Sequence, residues 1–279
     1  TNNALTITAN DILLSGSLNS GSSATTLLLS DGGTIGVGDT SGGMSISTAE
    51  LGRMTASTLT IGASSGTGNI TVDNLATGNT SNISTKVALV TNSNVSFSNN
   101  SSALSTGLDV DAGGTIAINV GIDTSSSSSG TVDIDGTGTT TIAAAGDINA
   151  GGAVVFGANK NGALTTSGDI DTSNDNITFT RAVTLGGNVD IDTTGASAGN
   201  IVFSSTIATA GNNLTLDAGT AGNVTLSGNL TGKGAMTVRD GAVQSYQALT
   251  LGSLTISDAT TSVTPVSYTH LTLPTSDLV

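Results

Sequence analysis

Four times the chain places an aliphatic residue between two aspartates. Asp109 and Asp111 flank Val110, Asp133 and Asp135 flank Ile134, Asp169 and Asp171 flank Ile170, and Asp190 and Asp192 flank Ile191. On an extended strand successive side chains alternate between faces, so each pair sets two carboxylates outward around an inward aliphatic residue. Such carboxylates lie about 7 Å apart, a separation that could serve acid–base cleavage of a glycosidic bond. Stacked in columns they could also bind Ca²⁺, a hard cation that takes oxygen ligands. A polysaccharide-active enzyme would add Arg or Lys in a groove and aromatic platforms for the sugar rings. Here there are 6 Lys and Arg residues, Trp is absent, and Tyr246 is the only tyrosine ahead of residue 266. The calcium-binding nonapeptide GGxGxDxUx is absent too. A solvated acidic face is the simpler reading. No residue is assigned as catalytic, cofactor-binding or metal-ligating.

Other patterns are weaker still. Thr6 and Thr8, Thr58 and Thr60, and Thr178 and Thr180 form TxT pairs that would suit ice binding if they persisted through a stack. They do not, because the offsets of Thr178 and Thr180 become Val202 and Ser204, then Thr225 and Ser227. His270 is the only histidine and is discounted as a catalytic base. No Gly-rich stretch follows a strand and opens a helix, so phosphate-loop readings fail. The net charge is −14, and Arg53, Lys86, Lys160, Arg181, Lys233 and Arg239 are scattered. No basic patch exists to neutralise phosphates, which argues against nucleic acid. Anionic membrane surfaces are disfavoured on the same ground. There is no run of 18 apolar residues, so no transmembrane helix is expected. Zero cysteines exclude disulfides and thiolate metal sites.

The elements that carry these residues are short strands. Of the 279 residues 38 are Gly, 36% are hydrophobic, 2% aromatic and 9% charged. Ile, Val and Leu alternate with Thr and are bounded by Gly and Asn, which favours strands. No stretch keeps a 3.6-residue period. Three units align on Asn176, Asn200 and Asn223. Ile177, Ile201 and Val224 share one offset; Phe179, Phe203 and Leu226 share a second; Val183, Ile207 and Leu230 a third. Val189, Leu214 and Met236 share a fourth, with Ile191, Leu216 and Val238 two residues on. A unit of about 23–24 residues with three short sides closes into a triangular coil, and stacked coils bury a narrow aliphatic core. An antiparallel sandwich also alternates with regular turns, but units of matching length favour a right-handed parallel β-helix. About 12 coils at about 4.8 Å each give an axis of about 55–60 Å. Gly and Asn suit the corners, and stacked asparagines can bond one another along the axis. Ser125–Ser129 reads as a loop between coils, and residues 79–106, rich in Asn and Ser, as a distorted coil or an excursion. Asp192, Asp217 and Arg239 are expected in one outward column.

The units at 176–240, with the phrases GNIVFSS, NNLTLDAGTAGNVTLSG and SLTIS (253–257), resemble over residues 176–257 the repeats of filamentous-haemagglutinin-like and autotransporter-type bacterial adhesins. The likeness covers about residues 1–260 in texture. It implies a single β-solenoid domain over residues 1–265, a fragment of a longer chain, acting as a non-catalytic passenger outside the cell or on the bacterial outer surface. It implies binding to a surface, glycan or host-cell ligand, with no cofactor. Residues 266–279 break the pattern and resemble translated sequencing-adaptor read-through.

Overall fold

The computed structural model describes residues 2–160, 162–195 and 199–257, and the backbone of 262–265. Residues 266–279, with His270, lie outside the described residues. The chain is all-β and every strand pairing is parallel. It winds into a β-solenoid of about 10 turns with about 23 residues per coil. Three sheets form its faces. Face one runs from Leu5–Ala9 to Ser262–Pro265, face two includes Val95–Phe97 and Val183–Leu185, and face three runs from Ser102–Ala103 to Ser253–Ile256.

The aligned offsets are true neighbours. Ile177 pairs with Ile201 and Ile201 with Val224; Val183 pairs with Ile207 and Ile207 with Leu230; Val189 pairs with Leu214 and Leu214 with Met236. The three-residue strands bury their first and last residues and turn the middle one outward, half-buried in Ile177–Phe179 and Ile201–Phe203 and exposed in Val183–Leu185. That rhythm is why two aliphatic residues spaced by two suffice for each side of the coil.

Coil length is regular only after the first turns. Thr25 pairs with Leu59, 34 residues on, and Leu59 with Val87, 28 residues on. Later steps are 22 residues from Val132 to Val154 and 23 from Val154 to Ile177. The long early coils account for part of the difference between the about 12 coils expected and the about 10 turns formed. Their extra residues lay Met44–Ile46 along the edge of Ile35–Gly38 and form a single helical turn, Thr48–Leu51. Residues 79–106 are no excursion. They contribute Ile83–Thr91, Val95–Phe97 and Ser102–Ala103 to the three faces. Ser125–Ser129 does form the turn between Ile122–Asp123 and Val132–Gly136.

Corners are tied by side chains. Asn200 donates both its backbone N–H (2.8 Å) and Nδ2 (3.0 Å) to Asn176 Oδ1, and the N–H of Asn223 donates to Asn200 Oδ1 at 2.9 Å. Asn94 and Thr115 repeat the device, with their N–H groups on Asn69 Oδ1 and Asn94 Oδ1. Each bond satisfies the amide that begins the next coil's strand, where the regular ladder stops.

Inside, Ile134, Phe156, Phe179, Phe203, Leu226 and Tyr246 form one column. Phe156 and Phe179 stack at 5.2 Å between ring centroids and 2° between planes, and Phe179 and Phe203 at 4.3 Å and 8°. All three rings are buried. Phe179 touches a ring on either side, so Phe179→Ala should cost about 3–5 kcal/mol of unfolding free energy. Phe179→Leu should cost about 1–2 kcal/mol, from lost volume and stacking. Denaturant titration of the two variants checks this, and a loss under about 1 kcal/mol for the alanine variant would contradict the stacked column.

Candidate functional site

The structure divides the four aspartate pairs between two faces. On face one Asp109 pairs in register with Asp133, and Asp111 with Asp135. Lys86, one coil earlier, places Nζ 2.6 Å from Asp109 Oδ2. Lys160 makes a second ion pair, with Asp111. Lys86, Asp109 and Asp133 line a shallow depression of about 250 Å³ floored by Leu108 and Val132. Burial, then the charges of Asp135 and Asp109, push the Asp133 carboxyl up to about 6, against the pull of Lys86 and Arg181. A carboxyl so placed can carry a proton at mildly acidic pH. A second depression, of about 270 Å³, lies at an early corner walled by Gly, Ser, Thr and aliphatic residues, and no charged group lines it.

Asp135 departs from the expected outward pair. Its side chain is only 2% exposed, and it faces Arg181, whose side chain is 0% exposed, at 3.7 Å. Arg181 reaches back two coils. Its guanidinium donates to the carbonyls of Ile134 (2.7 Å) and Lys160 (3.3 Å) and to Thr140 Oγ1 (3.0 Å). Asp135 in turn accepts from the N–H (3.1 Å) and Nδ2 (2.7 Å) of Asn159. The network fills the corner under residues 157–160. Gly157 turns there at φ +85°, where a Cβ would sit 2.6 Å from Arg181 Nε, so only glycine fits. A buried cation held by three acceptors and a carboxylate ties coils together and is out of a ligand's reach.

Face three carries the other pairs. Asp171 pairs with Asp192, Asp192 with Asp217 and Asp217 with Asp240. The expected placing of Arg239 beside Asp217 is corrected here. A bulge between Leu216 and Asp217 puts Asp240 opposite Asp217. Arg239 stays exposed on the same strand and pairs with Asp190, two coils earlier, at 2.9 Å. Asp147, Asp169 and Asp190 form the adjoining row, where the N–H of Asp169 donates to Asp147 Oδ1 (2.9 Å) and that of Asp190 to Asp169 Oδ1 (2.7 Å). These aspartates therefore do the corner work that asparagine does elsewhere. Among the described residues no group of three or more His, Asp or Glu is arranged to hold a metal ion.

No family model, curated protein or solved structure matches the chain. Function must therefore be read from the geometry.

Two buried acids escaped the sequence reading. Burial would raise Glu50, but hydrogen bonds from the Leu14 N–H (2.9 Å) and from the Ser47 hydroxyl (2.7 Å) and N–H (2.9 Å) outweigh it and hold the carboxyl below its usual value. The Ser47-Thr-Ala-Glu50 spacing is a capping box and was readable as such. Asp73 is held low by the Asn99 side chain, with further bonds from Asn100 outweighing burial. Both contribute stability that is lost as pH falls through their lowered values.

The two kinds of ion pair should differ on substitution. Arg181→Met leaves Asp135 buried without its counter-ion, and should cost about 3–5 kcal/mol. Arg239→Gln breaks an exposed pair and should cost about 0–1 kcal/mol. Denaturant titration of both variants distinguishes a coil-tying Arg181 from an ornamental one; equal small losses would contradict the burial argument.

Proposed function

We propose that this chain is a structural and adhesive passenger segment of a large bacterial secreted or surface-displayed repeat protein, and that it works without catalysis. The carrying observation is the fate of its cations. Arg181, the cation drawn inside against Asp135, has a side chain that is 0% exposed. A polysaccharide-cleaving site needs an accessible cation or acid beside the sugar. Lys86 is occupied with Asp109, Lys160 with Asp111 and Arg239 with Asp190. Arg53 and Lys233 stay exposed but far from the aspartate pairs in sequence, and the rest of the outside is chiefly Thr, Ser, Asn and Asp, a chemistry suited to display and to many weak polar contacts. The partner would be a surface, a glycan or a host-cell ligand outside the cell.

One observation favours the second reading, a polysaccharide-active enzyme. Asp133 is pushed up to about 6 beside Asp109 and Lys86 in a depression on face one. A single experiment separates the two. Purified chain is incubated with a panel of acidic and neutral polysaccharides while reducing ends and unsaturated products are followed, and chain-coated beads are tested for retention on the same glycans and on epithelial cells. The passenger reading expects retention without product. Product formation that disappears in Asp133→Asn would overturn it in favour of the enzyme.

A further inference from the structure

The column on face three stacks four carboxylates in consecutive coils. Asp171, Asp192, Asp217 and Asp240 are joined strand to strand, at about 4.8 Å between backbones. Below them the same column continues through Asn149 to Asp123. Beside it stand Asp147, Asp169 and Asp190, then Thr215 and Thr237. The cation on this face is Arg239, engaged with Asp190, while Lys233 is exposed at the corner ahead of Ala235–Asp240. The inward neighbours are apolar, Ile170, Ile191, Leu216 and Val238. Parallel in-register stacking thus superimposes like charges that the chain leaves largely uncompensated. Repulsion acts along the axis, against the backbone bonds that join these coils.

We infer that this column is a proton-responsive strut. The coils it crosses hold together less firmly when every carboxylate is ionised, and tighten as protons are taken up between neutral and mildly acidic pH. Burial, followed by the charges of Asp192, Asp169, Asp190 and Asp147, raises Asp171 to about 6. Asp190 is raised by burial and by Asp169 and Asp192, which together outweigh Arg239. Asp217 is raised by burial and by Asp192 and Asp240, against a hydrogen bond from the Gly219 N–H. A carboxyl whose folded value lies above its unfolded value of about 3.9 binds protons more tightly when folded. For Asp171 that contribution to stability grows as pH falls through about 6 and is complete below the unfolded value. Glu50 and Asp73, at the other end of the solenoid, titrate with the opposite sign, so the strut must be read locally.

Hydrogen exchange of the Ile170–Thr172 and Val189–Asp192 amides, corrected for intrinsic rate, reads it. The chain is compared at about pH 7.5 and about pH 5.5 with the double variant Asp171→Asn/Asp192→Asn. Asn149 already occupies this column, so asparagine fits. The wild-type chain should gain about three- to tenfold in protection at the lower pH, a range discounted for solvent screening. The variant should already show the higher protection at pH 7.5 and change little. Raising salt to about 1 M at pH 7.5 should protect the wild-type chain, through screening alone. Should the variant fail to fold, the pH and salt arms on the wild-type chain still decide. Protection that is flat or falls toward pH 5.5, or an equal rise in the variant, overturns the inference.

Discussion

Parallel in-register stacking is the constraint from which the rest of this molecule follows. Each coil lends its backbone donors and acceptors to the coils above and below, so no coil satisfies itself. A residue is then judged against its equivalents one turn away rather than against its chain neighbours. Inward positions become columns of Ile, Val, Leu and Phe, and a ring at one level selects a ring at the next, as at Phe156, Phe179 and Phe203. Where a strand ends, the ladder leaves an amide without a carbonyl. The side chains of Asn176, Asn200 and Asn223, and of Asp147 and Asp169, supply the missing acceptor.

The same rule acts on charge. In an ordinary fold an aspartate repeated in sequence finds varied surroundings, whereas here it meets a copy of itself. The chain resolves this differently on its two acidic faces. On face one Lys86 and Lys160 sit over the carboxylates, and Asp135 has been taken inside to meet Arg181. On face three Arg239 is the one cation in contact among the described residues, and the carboxyl groups of Asp171, Asp190 and Asp217 rise from their ordinary value. The first arrangement fixes a corner that spans three coils. The second leaves a polar wall open to water and to ligands.

Among the described residues from 176 to 238, the strand register was legible in the sequence, because a period of 23–24 with paired aliphatics has one consistent threading. The register failed at one step, where a bulge after Leu216 slid Arg239 past Asp217. Nothing local marks that bulge, since Arg239 and Asp240 are both acceptable outward residues. The burial of Asp135 was hidden for a related reason: its partner lies 46 positions on, and only the stack brings the two together. Early coils were harder to read because the step from Thr25 to Leu59 carries an added strand and a helical turn, which break the period. The capping box at Ser47 and Glu50 shows that one signal there was readable all the same.

The register along face two offers the most direct test of the stack. Ser96, Ala117, Thr141, Thr165, Thr184, Ala208 and Thr231 follow one another strand by strand. The chain has no native cysteine, so Ser96→Cys/Thr231→Cys accepts two spin labels and no others. Six spacings of about 4.8 Å place the labelled backbones about 29 Å apart, and two labels projecting from the same face should give a single electron–electron maximum near that distance. A distance below about 20 Å, or a broad distribution without a maximum in that range, would contradict parallel coils in this register.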